Sequence, residues 1–144
     1  MKIIGGCTLL LAPLLLTRCD IPKDPAGSLD AARQTALQVG VTDNSPFVIL
    51  QGDRPSGLEV ALLEDFAVAQ GLRISYRKGS ESTLVKMLEN RLLHIAIGGF
   101  EKGSIWQSKA GFSAPYDSTH VLLIPKGENR LLYELEKTIL NHPR

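Results

Sequence analysis

Side chains able to do chemistry are few in this chain and widely spaced. Both cysteines, Cys7 and Cys19, precede residue 20, so the rest of the chain has no disulfide framework and no Cys–His zinc set. The three histidines, His94, His120 and His142, share no ligand spacing. What remains is three short polar stretches that each follow an apolar run: DNSPF at 43–47, KGSES at 78–82 and IGGFEKGS at 97–104. They offer amide and hydroxyl groups, aromatic rings, and glycines that let a ligand approach backbone N–H and C=O. Groups of that kind can hold a ligand without covalent chemistry. Glu81 and Glu101 are the acid/base candidates there, but a general acid needs a dry, tuned environment. No catalytic residue, metal site or cofactor is expected.

The elements that must position these stretches are legible in the periodicity. ALQVGVT alternates as a strand and breaks at DNSPF. SGLEVALLEDFAVAQG sets Leu58, Ala61, Leu62, Phe66 and Ala69 at helical spacing, opened by Ser56 and closed by Gly71. LRISYRK alternates again. SESTLVKMLENRLL begins on capping residues and continues as an amphipathic helix through Leu84, Met87, Leu88 and Leu92. HIAIGGF is a short buried strand, followed by an irregular polar stretch to Lys109 with room for one helical turn. HVLLIP is an apolar strand and ENRLLYELEKTIL a closing helix. The alternation predicts an α/β fold: a mainly parallel sheet flanked by helices and closed by the C-terminal helix. In such sheets ligands bind beyond the carboxyl ends of the strands, where the three polar stretches lie.

A chain of 144 residues fits one domain, and 44% hydrophobic with 22% charged residues is a globular composition. A net charge of +1, with Lys and Arg scattered, argues against nucleic acid as a partner. The start, MKIIGGCTLLLAPLLLTRCD, has a positive residue and then an apolar run over 3–16. That run is short for a membrane span and suited to a signal-peptide core. LTRC resembles a bacterial lipobox, in which the Cys19 thiol receives a diacylglycerol and becomes the new N-terminus. Arg18 departs from the small residue usual before that cysteine. The expected division is a lipoprotein-type signal peptide at 1–19, a polar tether at 20–35 and a folded lobe at 36–144. LDAARQTA reads as a short helical turn or as more tether.

Four segments in order carry a family resemblance: LQVGVTDNSPF, GLEVALLEDFAVAQG, LENRLLHIAIGG and GFSAPYDSTHVLLI. Together they resemble the bacterial extracellular solute-binding proteins of family 3, the receptors of polar amino-acid ABC importers. The resemblance covers roughly residues 36–142. It implies a type II periplasmic-binding-protein-like fold, an extracytoplasmic place and a small polar solute. It also implies an ABC permease as a partner and no catalysis. Members usually have two lobes joined by two crossing segments, whereas here HVLLI runs straight into PKGENRLLYELEKTIL, which resembles the return to the first lobe. A second lobe needs about 80–100 further residues. The resemblance therefore implies a single-lobe version, with a second wall supplied by another copy or a partner.

The resemblance also implies site residues. Phe47 would stack on a ligand or pack on the lobe. Asn44 and Ser45 offer polar groups beside it. Ser80 and Glu81 open a helix whose amides could receive a carboxylate, or simply cap it. Gly98 and Gly99, with Phe100, would face the ligand. The family's carboxylate-binding Arg falls on Trp106, which stacks on ligand or buries, and its Thr falls near Glu101. The usual Gly and Asp before the third strand become Arg91 and His94, so His94 reads as a structural replacement. An interaction or sensor module, presenting the lobe's open face to a protein, is the alternative function.

Overall fold

In a computed structural model the described residues are 24–142. The expected signal peptide and the lipidation candidate Cys19 lie outside them. The elements in chain order are α1 (Ser28–Gln34), β1 (Leu37–Val41), α2 (Leu58–Gln70), β2 (Ile74–Lys78), α3 (Glu81–Glu89), β3 (Ile95–Glu101), a 3-10 turn (Ile105–Ser108), β4 (Gly111–Phe112), β5 (His120–Ile124) and α4 (Asn129–Asn141). No described helix is long and apolar enough to cross a membrane.

The sheet order is β2-β1-β3-β5-β4. The β1–β2 and β1–β3 pairs are parallel, as alternating strands and helices require. The other flank is antiparallel: β5 runs against both β3 and β4. The fold is thus the α/β lobe that the pattern predicts, with a mixed sheet. The short strand β4 was not foreseen, because two residues carry no periodicity.

Strand alternation sends side chains to two cores. Leu37, Val39, Val41, Ile95, Ile97, Leu122 and Ile124 share one with Leu29 of α1, Leu63 and Phe66 of α2, and Leu131, Leu135 and Ile139 of α4. Ala96, Phe100, Val121 and Leu123 share the other with Leu84, Val85 and Leu88 of α3. On this side Gly40 makes room for α3 and the turn after it, since a Cβ there would sit 2.7 Å from Leu84 Cδ2 and 2.5 Å from Leu93 Cδ1. The α4 stripe is buried at i, i+4 and i+8, while Leu132 packs only at its edge.

Two expectations are revised here. The stretch read as tether contains α1, and Leu29 and Ala32 are buried in the core, so the folded body starts before residue 36. Phe100 does not face the strand ends. It lies one strand period from Gly98, on the α3 side, and is 2% exposed.

His94 behaves as a structural residue. Its ring Nδ1 accepts the Gln38 backbone N–H at 3.0 Å while the His94 backbone N–H donates to Gln38 C=O at 2.9 Å. Burial holds its pKa below the ordinary value, which suits a neutral acceptor.

Candidate functional site

The carboxyl ends of β1, β2 and β3 meet at one rim. The Gly79 N–H donates to Val41 C=O and the Thr42 N–H to Ile97 C=O, which ties the three exits together. Two groups of side chains stand on that rim.

The first gathers Asn44, Phe47, Gly98 and Gly99. Asn44 Nδ2 donates to Gly98 C=O at 2.8 Å, and a tight bridge joins Asn44 to Val48. Gly99 has φ +68, and a Cβ there would lie 2.5 Å from Phe47 Cδ2 and 2.6 Å from Asn44 Nδ2. That crowding, together with the left-handed backbone, is the reason for glycine. The Phe47 ring is half-buried, and His120 packs against it with ring centroids 4.2 Å apart. Ser45, next to cis Pro46, is exposed.

The second group is Ser80, Glu81 and Trp106. Ser80 Oγ accepts the Thr83 N–H at 3.3 Å, the ordinary N-cap of α3. Glu81 accepts from Trp106 Nε1 at 3.1 Å, and the Trp106 ring packs half-buried on the α3-side core. Trp106 therefore bridges the 3-10 turn to α3. Lys102 and Lys109 supply the nearest cations in sequence, and neither stands in for a carboxylate-forking Arg.

Beneath the first group lies a residue that the sequence reading did not single out. Glu59, in the first turn of α2, is completely buried. Its Oε2 accepts the Gly98 N–H at 2.7 Å and the Gly99 N–H at 3.0 Å, and its Oε1 accepts Tyr116 Oη–H at 2.5 Å. Burial pushes its carboxyl above the ordinary range, against the pull of the Tyr116 hydroxyl and the two glycine amides. Burial and the Glu59 charge push the Tyr116 phenol well above its own. The signal available in sequence was an acid directly after the Gly57–Leu58 pair that opens a helix, on the face that also carries Leu62, Leu63 and Phe66. Gly57 itself is required: a Cβ would lie 2.5 Å from Phe47 C=O.

The rim thus satisfies itself. Gly98 and Gly99 amides go to Glu59, the Gly98 carbonyl goes to Asn44, and one flank of Phe47 is taken by His120. The His120 ring is set by Asp117, whose Oδ2 lies 2.7 Å from its Nδ1. The other oxygen of Asp117 accepts the Thr119 and His120 N–H groups, each at 2.7 Å. Beside this network opens a groove of about 650 Å³ lined by Leu58, Glu59, Ala61, Tyr116, Asp117 and Ile139 among others. Among the described residues no three His, Cys, Asp or Glu side chains gather into a possible metal site.

Solved structures share this fold. The arginine-bound form of domain 1 from TmArgBP, of T. maritima, superimposes with a TM-score of 0.71 at 18% identity, covering 78% of this chain and 98% of that one. An amino acid ABC transporter substrate-binding protein from Streptococcus pneumoniae, bound to L-arginine, gives 0.68 at 11% identity, with 79% and 91% covered. An ancestral cyclohexadienyl dehydratase gives 0.57 at 29% identity, but over 62% of this chain and 38% of the enzyme. At such identities the first two likenesses are of fold. No curated protein matches the chain. The family model described as bacterial extracellular solute-binding proteins, family 3, matches residues 37–141, and the chain belongs to that family.

Proposed function

We propose that this protein is the solute-recognition module of an extracytoplasmic ABC import system. It would be anchored to a membrane through acylated Cys19 and would bind a small polar solute of the amino-acid class without catalysis. The observation that supports this most is the shared rim, where three parallel strands end together and bring Asn44, Phe47, Gly98 and Gly99 within contact of one another. That domain 1 of TmArgBP was obtained in an arginine-bound form supports a single lobe as a binding unit, and makes arginine the first solute to try. Trp106 at the position of the carboxylate-binding Arg argues for weaker binding, because a charge-assisted bond contributes about 1.5–3 kcal/mol. A single wall also encloses less than the 70–90% or so of ligand surface typical of good pockets.

The deciding experiment is calorimetry on the protein with arginine and a panel of polar amino acids, with mass followed by light scattering. We expect affinity weaker than micromolar for the monomer. Sub-micromolar affinity with the protein still monomeric would overturn the one-wall argument. A complete lack of heat with every solute would remove the recognition reading.

One observation favours a second reading, an interaction or sensor module. The rim's polar groups are already engaged internally, and the adjoining groove carries Leu58 at 58% exposure. A protein surface or a second copy of the chain on that face would need few free hydrogen-bonding groups from the rim.

A further inference from the structure

The N-terminal end of the described chain is held to the lobe by a group of charges that the solute reading does not use. Glu128, just before α4, is completely buried. Its two oxygens accept the Ala26 N–H at 3.2 Å and the Ser28 N–H at 3.4 Å, and Arg91 Nη1 pairs with it. Arg91 sits at φ +56, a left-handed backbone that an arginine adopts at a cost, and its other nitrogen donates to Lys126 C=O at 3.3 Å. A second carboxyl stands at the same turn, that of Asp24, on the Leu29 amide next to the Ser28 amide that Glu128 takes. Its Oδ2 accepts the Leu29 N–H at 3.1 Å, capping α1. Its Oδ1 is buried and has no partner among the described residues if the group is ionised.

We propose that Asp24 and Glu128 share one proton, making the joint between α1 and the lobe a pH-dependent clasp. The shared proton sits on Asp24 Oδ1 and is donated to the Glu128 carboxylate. This satisfies the orphaned oxygen and removes a like-charge repulsion, and when the proton leaves to solvent two carboxylates face each other. Among the described residues the charged groups around the pair are few. Arg91 approaches from the turn after α3, and Arg130 from α4. Asp30 on α1 is itself held by Arg130 at 3.0 Å and by Arg33 at 3.1 Å. The His94 ring senses the Glu128 charge from the turn before β3.

Burial first, and then the Glu128 contact, raise the Asp24 carboxyl to about 6. Glu128 is lowered: burial opposes this, but its bonds from Asp24, Ser28 and Ala26 prevail. Asp24 therefore favours docking fully below its unfolded value of 3.8, and this is lost as pH rises through about 6. Glu128 favours docking above its unfolded value of 4.5, and this is lost as pH falls through its folded value. Docking is tightest in mildly acidic solution and loosens toward neutrality. Undocking would free residues 24–35, roughly 40 Å of chain at about 3.3–3.6 Å per residue when extended.

Hydrogen–deuterium exchange on the full chain tests this, expressed as protection factors so that the intrinsic pH effect is removed. Between pH 5 and pH 7.5 the amides of Ser28–Gln34 should lose protection by several-fold, up to about tenfold. Those of β1 and β3 should hold within a factor of two or so. Asp24→Asn keeps a donor toward Glu128 and an acceptor for Leu29 at every pH, so its α1 protection should be flat across the range and match wild type at pH 5. Unchanged wild-type protection across this range, or the same pH slope in Asp24→Asn, would overturn the proposal.

Discussion

The Tyr116 phenol lies 2.5 Å from Glu59 Oε1, joining the loop before β5 to the first turn of α2 across 57 positions of sequence. Through Glu59 the same contact reaches the amides of Gly98 and Gly99, so one buried carboxylate fixes two of the segments that form the rim. The proposed solute surface on that rim takes its shape from this bond.

Tyr116→Phe keeps the ring and deletes the donor to Glu59. A hydrogen bond to a buried, charge-bearing group is worth about 1–3 kcal/mol. We expect a melting temperature several degrees lower, with the fold retained in circular dichroism. Glu59→Ala should cost more, because it leaves two glycine amides without acceptors. Equal stability of Tyr116→Phe and wild type in urea melts would show that the contact adds nothing net.

Gly99→Ala should destabilise by about 1–3 kcal/mol, since the methyl would enter the Phe47 ring and the Asn44 amide from a left-handed backbone. The measurement is a denaturant midpoint at unchanged slope. A second readout is the exchange rate of the Val48 amide, which bonds Asn44 C=O at 3.0 Å and should open faster.

Arg91→Gly sets two effects against each other. Glycine relieves the left-handed backbone, a gain of about 1 kcal/mol. Losing the partner of a buried charge costs about 3–5 kcal/mol when nothing else compensates. Glu128 keeps two N–H donors and the Arg91 side chain is 43% exposed, so roughly half that loss is expected. The net prediction is destabilisation, read by thermal melting, and a stabilised Arg91→Gly protein would contradict the ion pair's role.

The closing helix should be indispensable. Leu131 and Leu135 are completely buried, and Leu→Ala at such sites costs about 2–5 kcal/mol against a whole-domain stability of about 5–15 kcal/mol. A chain ending at Gly127 should not fold. A soluble, cooperatively melting product would show that α4 is dispensable to the core.

For the proposed anchor, Cys19→Ser should move the protein from the membrane to the soluble fraction, and intact mass should show diacylglycerol on Cys19 of the wild type. An unmodified full-length chain would remove the lipoprotein reading.

The sequence by itself determined the order of the longer strands and helices and the stretches that follow the parallel strands, but not the buried face of α2, where Leu58, Ala61 and Ala69 are exposed and Glu59, Val60 and Leu63 are buried. What it determined are local properties: alternation in β1 and β3, or the Leu131, Leu135, Ile139 spacing in α4, is written within a few residues. Short elements were left open or missed. α1, which the sequence allows as a helical turn or as tether, is seven residues long and preceded by Gly27, which has no side chain to cap it, and β4 is two residues long, so neither accumulates a period. Only the tertiary structure decided which polar groups meet. Glu59 finds Gly98, Tyr116 and Gly99, His120 settles on Phe47, and Glu128 takes the Ala26 amide 102 residues away. The Phe100 side chain went to the core because a strand's period, continued through Gly98, sets its face whatever its neighbours in sequence do. A buried carboxylate must take whichever donors packing brings to it, and that choice is made by the docking of helices on the sheet rather than by any spacing along the chain.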